Sequence, residues 1–359
     1  AVSTIDPNGL NVGQFGNRNL ITNGSMQHWQ RGISNTSVND GAYLADRFSM
    51  RTSNNGWYRA DQSTDAPEGF PYSLKITSLG SNTPSSGAYI FFSQKIEGFN
   101  TVPLAYGTAS AKTVTLSFYV RSSLAGTHGG AIRNNAQNRS YPFSYTINAI
   151  DTWEYKTITI VGDTTGTWVG ATNGIGLELI WNLGSGSNNI GTAGAWQSAG
   201  KLGATGEVNI VSTNGATLYL TGVQLELGDT ATPFEHISYG DQLQKCQRYY
   251  YQIGKESGAY MSNVGFPRGG GFLDLVYATV GFPTEMRATP TLGYGGNLQG
   301  VTYSGGYSAV TTTGPVVGDG RGKKIGGMRV KFPSDWTAGD EVFIKDQDGT
   351  GFISYDAEL

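Results

Sequence analysis

One cysteine, Cys246, stands in 359 residues, so no disulfide can close within the chain and packing has to hold it together. Three histidines, His28, His128 and His236, lie far apart without companions at metal-ligand spacing, and no zinc centre or other metal or cofactor is expected. Charged residues make up only 14%, the formal charge is −3, and no basic run exceeds the Lys323-Lys324 pair. The electrostatic footprint of a nucleic-acid binder is therefore missing. No apolar run approaches the ~20 residues that span a bilayer, which argues against membrane insertion. The first residues, AVSTIDPNGL, have neither the basic nor the apolar region of a secretion signal, so synthesis in a cytoplasm is expected. GxSxG elbows, Walker loops and HExxH pairs are absent as well, and the chain reads as a non-enzyme.

What abounds is glycine, 53 residues, about twice the usual share of roughly 7%. With so little charge, that composition suits short strands joined by tight turns, and the length suits two domains. From Asn19 onward, apolar or alternating runs are separated by Gly, Asn, Ser and Asp clusters: NLITNGSMQHW, DRFSMRT, YSLKITS, AYIFFSQKI, TVTLSFYVRS, SYPFSYTIN, WEYKTITIV, IGLELIWNL and ATLYLTGVQLEL. Strands at this spacing predict an all-β fold with a sandwich over 19–237, closed where Gly228, Asp229 and Pro233 end the last ladder. Residues 1–18 lack apolar periodicity and read as an attachment arm that another surface must order. Residues 255–359 read as a smaller C-terminal β-domain. Its thin hydrophobicity calls for further burial, which a homotrimer would supply.

Between the two domains, DQLQKCQRYYYQI predicts a short linking helix over 238–254, capped by Ser238 or Asp241. Leu243, Cys246, Tyr250 and Ile253 fall on one stripe. A helix this short needs a surface to dock on, either its own sandwich or copies in neighbouring chains. Tyr249, Tyr250 and Tyr251 are accordingly candidates for an oligomer interface.

Alternation assigns faces. In TVTLSFYVRS, Val114, Leu116, Phe118 and Val120 share one side, which leaves Tyr119 and Arg121 on the other. In WEYKTITIV, inward Ile158 and Ile160 turn Trp153 and Tyr155 outward. Trp181 and Trp29 read as core. Trp57, Tyr58 and Trp196 sit in stretches rich in Asn, Gly and Ser, where a ring without apolar neighbours points to a ligand or a partner chain. Sugars offer C–H faces to rings and hydroxyls to short polar groups. The glycan-binding candidates are therefore Trp57, Tyr58, Tyr119, Arg121, Trp153, Tyr155 and Trp196. Glu154, Glu178, Glu226 and Asp163 are the carboxylates a glycosidase would require, and most of them read as solvated strand positions.

GNRNLITNGSMQHWQRG, YLADRF, LYLTGVQLELGDTATPFEHISYGDQLQKCQRYYY and the terminal ISYDAEL together resemble bacteriophage virion proteins of the tail-fibre or receptor-binding type. That resemblance implies a jelly roll similar to carbohydrate-binding modules from Asn19 to about His236, with the CQRYYY helix linking it to a C-terminal β-domain. It further implies a virion (tail) location, host attachment by binding cell-surface polysaccharide, and docking on other tail proteins through the N-terminal arm. A head or tail decoration protein that binds no glycan, and a polysaccharide depolymerase, are the competing readings.

Overall fold

The computed structural model describes residues 17–258, 260–261, 265–268, 272–302, 307–309, 315–316, 322–332, 336–337 and 340–359. Of the expected arm, only Asn17 and Arg18 fall within the described residues. The chain divides into two compact units, Ala1–Ser238 together with Leu359, and Tyr239–Glu358.

The first unit is an all-β jelly-roll sandwich. Its strands are β1 Ser34–Asn35, β2 Phe48–Thr52, β3 Tyr58–Ser63, β4 Ser73–Ser78, β5 Ile90–Glu97, β6 Val114–Ser122, β7 Gly126–Arg133, β8 Ser140–Ile147, β9 Glu154–Ile160, β10 Ile175–Asn182, the short β11 Ile190–Gly191 and β12 Gly203–Ala204, and β13 Thr217–Leu227. One antiparallel sheet runs β1-β3-β4-β13-β6-β9 and the other β2-β5-β10-β7-β8. Side chains alternate across each strand, and the inward sets meet in one core that includes Phe48, Phe92, Phe118, Phe143 and Trp181. Trp181 is fully buried, stacked on Phe92 at 5.4 Å and set edge-on to Phe118 at 6.0 Å.

β13 shows how the pattern is kept. Leu218 and Leu220 point inward, the register shifts between Thr221 and Gln224, and Val223 and Leu225 then point inward again. Gly222 sits in this bulge at φ +62°, a conformation glycine adopts at little cost.

Two strands emerge from stretches that read as loops. β3 begins at Tyr58, whose ring is fully buried beside Ala60, while the outward Arg59 and Asp61 mask the alternation. β7 (GTHGGAIR) carries three glycines and pairs with both β8 and β10. Conversely, NLITNGSMQHW forms turns rather than a strand, although Ile21, Met26 and Trp29 are buried in the core. Its asparagines explain this. Asn19 Oδ1 accepts from the Ile21 amide, and Asn23 Oδ1 from the His28 amide, so side chains take amides that a ladder would use.

In the second unit the helix covers Tyr239–Gln247 and stops. Tyr250–Gly254 is a strand, β14, so the expected helix over 238–254 is corrected at its C-terminal half. Aromatic and β-branched residues favour a pleated surface. Here β14 finds a partner in a strand about a hundred residues away, with Tyr250 opposite Asp356 and Ile253 opposite Ile353. The other strands are β15 Phe266–Arg268, β16 Phe272–Gly281, β17 Thr291–Gly295, β18 Leu298–Thr302, β19 Tyr307–Ala309, β20 Pro315–Val316, β21 Ile325–Lys331, β22 Val342–Asp346 and β23 Phe352–Asp356. They form three small sheets, β14-β23-β17, β15-β16-β21-β20 and β19-β18-β22, around Val276, Met328, Val330, Ile344, Ile353 and Tyr355.

The three tyrosines offered as an oligomer interface are placed differently from one another. Tyr249 and Tyr250 are buried within the chain itself, and Tyr251 packs edge-on against Phe282 at 6.0 Å. Tyr251 remains partly exposed.

Candidate functional site

The two outer faces of the sandwich differ. On the five-stranded sheet, Ser93, Arg133, Glu178, Ile180 and Asn182 point away from the core yet are buried. Leu202, from the segment between β10 and β13, packs there on Phe91 and Ile180. Beneath it Arg133 Nε donates to Glu178 Oε2 at 2.7 Å and Ser93 Oγ to Glu178 Oε1 at 2.7 Å. Glu207, on the same covering segment, accepts from Asn182 Nδ2 and from the Ala204 amide at 3.1 Å. Gly129 and Gly203 make room for its carboxylate, since a Cβ at either would come within 2.1 or 2.5 Å of a Glu207 oxygen.

Burial raises Glu207 to about 7 against the pull of these two hydrogen bonds. An acid favoured in its protonated form by the fold lends stability at low pH that is lost as pH rises from about 4.5 to about 7. Glu207→Gln is expected to remove that loss, so that relative to the parent it gains about 3 kcal/mol between pH 4.5 and pH 8, from a start lowered by the one hydrogen bond its amide nitrogen cannot accept. Urea unfolding at the two pH values checks this; an unchanged pH slope in the variant contradicts it.

On the outer face of the six-stranded sheet Tyr155 is exposed, and Tyr119, Arg121 and Trp153 are partly exposed. After the register shift, Gln224 and Glu226 lie under the chain's own return segment. Glu226 accepts from the Thr232 amide at 2.8 Å and from Thr232 Oγ1 at 2.6 Å, and Gln224 Oε1 accepts from the Glu235 amide at 2.8 Å. On the other side of the shift, register pairs Tyr219 with Arg121 and with Lys75, and Tyr119 with both Thr221 and Tyr155. Alternation therefore brings Lys75, Tyr119, Arg121, Tyr155 and Tyr219 to one face, and Trp153 joins them at 6.1 Å from Tyr219.

The rings of this platform touch in two groups, Trp153 with Tyr219, and Tyr155 with Tyr119, Phe70 and Phe234. Tyr119 lies 4.9 Å from Tyr155 and 5.5 Å from Phe70, and Phe70 in turn lies 5.0 Å from Phe234. Gly222 matters here a second time, because a Cβ would reach within 2.8 Å of Phe70 and 2.9 Å of Tyr119. Two cations sit over the Tyr219 ring, Arg121 at 5.1 Å and Lys75 at 5.3 Å from its centre.

Asp65, in the loop after β3, fixes the rest. Its Oδ1 accepts from Trp153 Nε1 at 3.0 Å, and its Oδ2 pairs with Arg121 Nη1; Arg121 also reaches Asp151 at 3.4 Å. Asp65 and Asp151 are 42% and 51% exposed, so these pairs add little stability and act by orienting the indole and guanidinium. Such an arrangement offers flat apolar rings beside carboxylate and guanidinium hydrogen-bonding groups.

Of the seven sequence candidates, Tyr119, Arg121, Trp153 and Tyr155 share this face. Tyr58 is core, and Trp57 is half-buried against the core. Trp196 has aromatic neighbours after all, Trp168 at 5.4 Å and Tyr141 at 5.4 Å, and donates to the Val161 carbonyl at 2.7 Å. These three positions are explained by packing. Sequence reasoning missed Tyr219, which the alternation of Leu218 and Leu220 would have turned outward, and Asp65 and Phe70, which only the folded chain brings near.

The four carboxylates weighed for hydrolysis are each engaged. Glu154 pairs with Lys156 at 2.6 Å, Glu178 with Arg133, Asp163 with Arg139 at 2.7 Å, and Glu226 binds Thr232. Among the described residues no group of three His, Cys, Asp or Glu side chains is placed to hold a metal ion.

No protein-family model matches this chain, and no curated protein matches it. Several solved structures are similar to it. The enzymatically active domain of tailspike protein 4 from bacteriophage CBA120 is 14% identical, over 59% of this chain and 22% of its own, with a TM-score of 0.33. This chain thus spans about a fifth of that tailspike chain. A CBM4 protein is 17% identical over 58% of this chain and 99% of its own, with a TM-score of 0.31. A family 11 carbohydrate-binding module from Clostridium thermocellum, in complex with a mixed-linked tetrasaccharide, is 10% identical over 57% of this chain and 99% of its own, with a TM-score of 0.27.

Proposed function

We propose that the open outer face of the six-stranded sheet binds a glycan chain, and that the protein is a phage virion component of the tail-fibre or receptor-binding type that recognises host surface polysaccharide. The observation that carries the binding reading is the convergence of Tyr119, Tyr155 and Trp153 on one outer face, beside the buried Tyr219, with Asp65 and Arg121 next to them. Sugar rings stack by their C–H faces on such a platform, while their hydroxyls meet the carboxylate and guanidinium. Binding without turnover suits the engagement of all four carboxylates in structural pairs. The virion role rests on the phrases shared with phage proteins, as does attachment through the N-terminal arm.

A glycan array covering bacterial capsules and lipopolysaccharides tests the binding reading. Saturable binding to one class of polysaccharide, reduced in Tyr119→Ala, is the expected result. An array without hits, or hits unaffected by that change, refutes glycan recognition by this face and favours a decoration protein. Light scattering decides the proposed homotrimer, with three times the chain mass expected and a monomer refuting it.

A further inference from the structure

A second surface of the sandwich carries a pocket that the platform does not use. It lies between the helical turn Gly98–Thr101 with the residues after it and the loop that leads into β10, and its volume is about 130 Å³. Its walls are mainly apolar, with Val102, Leu104, Tyr106, Trp168, Val169 and Leu177 prominent.

Most of the polar groups around it are already engaged, the Tyr106 hydroxyl excepted. Thr101 Oγ1 donates to the Gly98 carbonyl at 3.0 Å, the Gly170 carbonyl accepts from the Thr172 amide at 2.5 Å, and the Thr172 carbonyl accepts from the Phe99 amide at 2.9 Å. The Trp168 indole donates to the Thr165 carbonyl at 3.2 Å and to Asp163 at 3.3 Å. The Tyr106 hydroxyl has no hydrogen-bond partner but is buried from solvent, so an occupant meets the ring and not the hydroxyl. A hydroxyl placed inside would lose its water without gaining a partner.

The nearby loop surface is different. Thr164, Thr165, Thr167 and Thr172 are exposed there, neutral side chains with short hydroxyls. A ligand suited to both surfaces buries a small apolar group while keeping a neutral, hydroxyl-rich body outside.

We propose that this pocket is a second carbohydrate site, distinct from the platform, that seats the methyl group of a neutral sugar between Trp168, Val102 and Leu104. The methyl could be the C6 methyl of a 6-deoxyhexose or that of an N-acetyl group, and the volume admits either.

Four free sugars form the test: L-fucose against L-galactose, which differ by the methyl, and N-acetyl-D-glucosamine against D-glucose. Binding is read on the intact chain by titration with Trp fluorescence and ligand-detected NMR. At least one methyl-bearing sugar is expected to bind about tenfold or more tightly than its counterpart, the scale of discrimination one methyl gives in an apolar pocket. Fucose preference identifies the deoxysugar, and N-acetylglucosamine preference identifies the acetyl group.

Gly170→Leu adds a side chain to the pocket lining at a position where a Cβ meets nothing within 4 Å. It is expected to weaken this binding at least about tenfold, as is Trp168→Ala, while Trp153→Ala leaves it unchanged. That last variant separates this site from the platform, whose failure would not affect it. Absence of saturable binding, equal binding of the paired sugars, or a Trp168→Ala protein that binds like the parent overturns the proposal.

Discussion

Trp153→Ala is expected to weaken binding of the recognised polysaccharide between tenfold and a hundredfold, roughly 1.4 to 2.8 kcal/mol. Trp153 is partly exposed just before β9, and its indole N–H is held by Asp65, so the ring is oriented before a ligand arrives. Pre-organised rings contribute most to affinity because little rotamer freedom is lost on binding. Asp65→Asn should cost less, since an amide oxygen still accepts from the indole while the pairing with Arg121 is lost. Isothermal titration with the polysaccharide identified on the array measures both. Equal affinities for parent and Trp153→Ala would remove Trp153 from the binding surface.

Trp181→Ala is expected to destabilise the sandwich by about 3 to 5 kcal/mol, read as a shift in its urea unfolding transition. The ring joins the two sheets. It stacks on Phe92 within its own sheet and meets Phe118 of the facing sheet, and no solvent reaches it. Its indole N–H has no hydrogen-bond partner among the described residues, so packing alone supports it. Trp181→Phe should consequently cost much less, about 1.5 kcal/mol or below, because it removes a buried donor while keeping an aromatic ring. A Phe variant as unstable as the Ala variant would show that packing of an aromatic ring is not what Trp181 supplies.

The period-2 pattern of β6 and β9 made half of the platform legible. Phe118 inward requires Tyr119 outward, and Ile158 inward requires Trp153 and Tyr155 outward, whatever the strands later pair with. Tyr58 was misplaced because a small Ala60 and charged neighbours hide the same period in β3. The tyrosines after Cys246 satisfy helical spacing and strand preference alike, and the choice between them is made by β23, too distant in sequence to be seen locally. Asp65 carries no sequence signal, since its partners lie 56 and 88 residues away. The covering of the five-stranded sheet is likewise set by a segment whose Leu202 and Glu207 look like ordinary loop residues.

Hydroxyl-radical footprinting of the intact protein with and without its polysaccharide tests the binding face most directly. Protection concentrated on Trp153, Tyr155 and Tyr119, with Trp57 unchanged, is the predicted result. Protection that misses those three side chains and falls on the second unit or on the opposite sheet would contradict it.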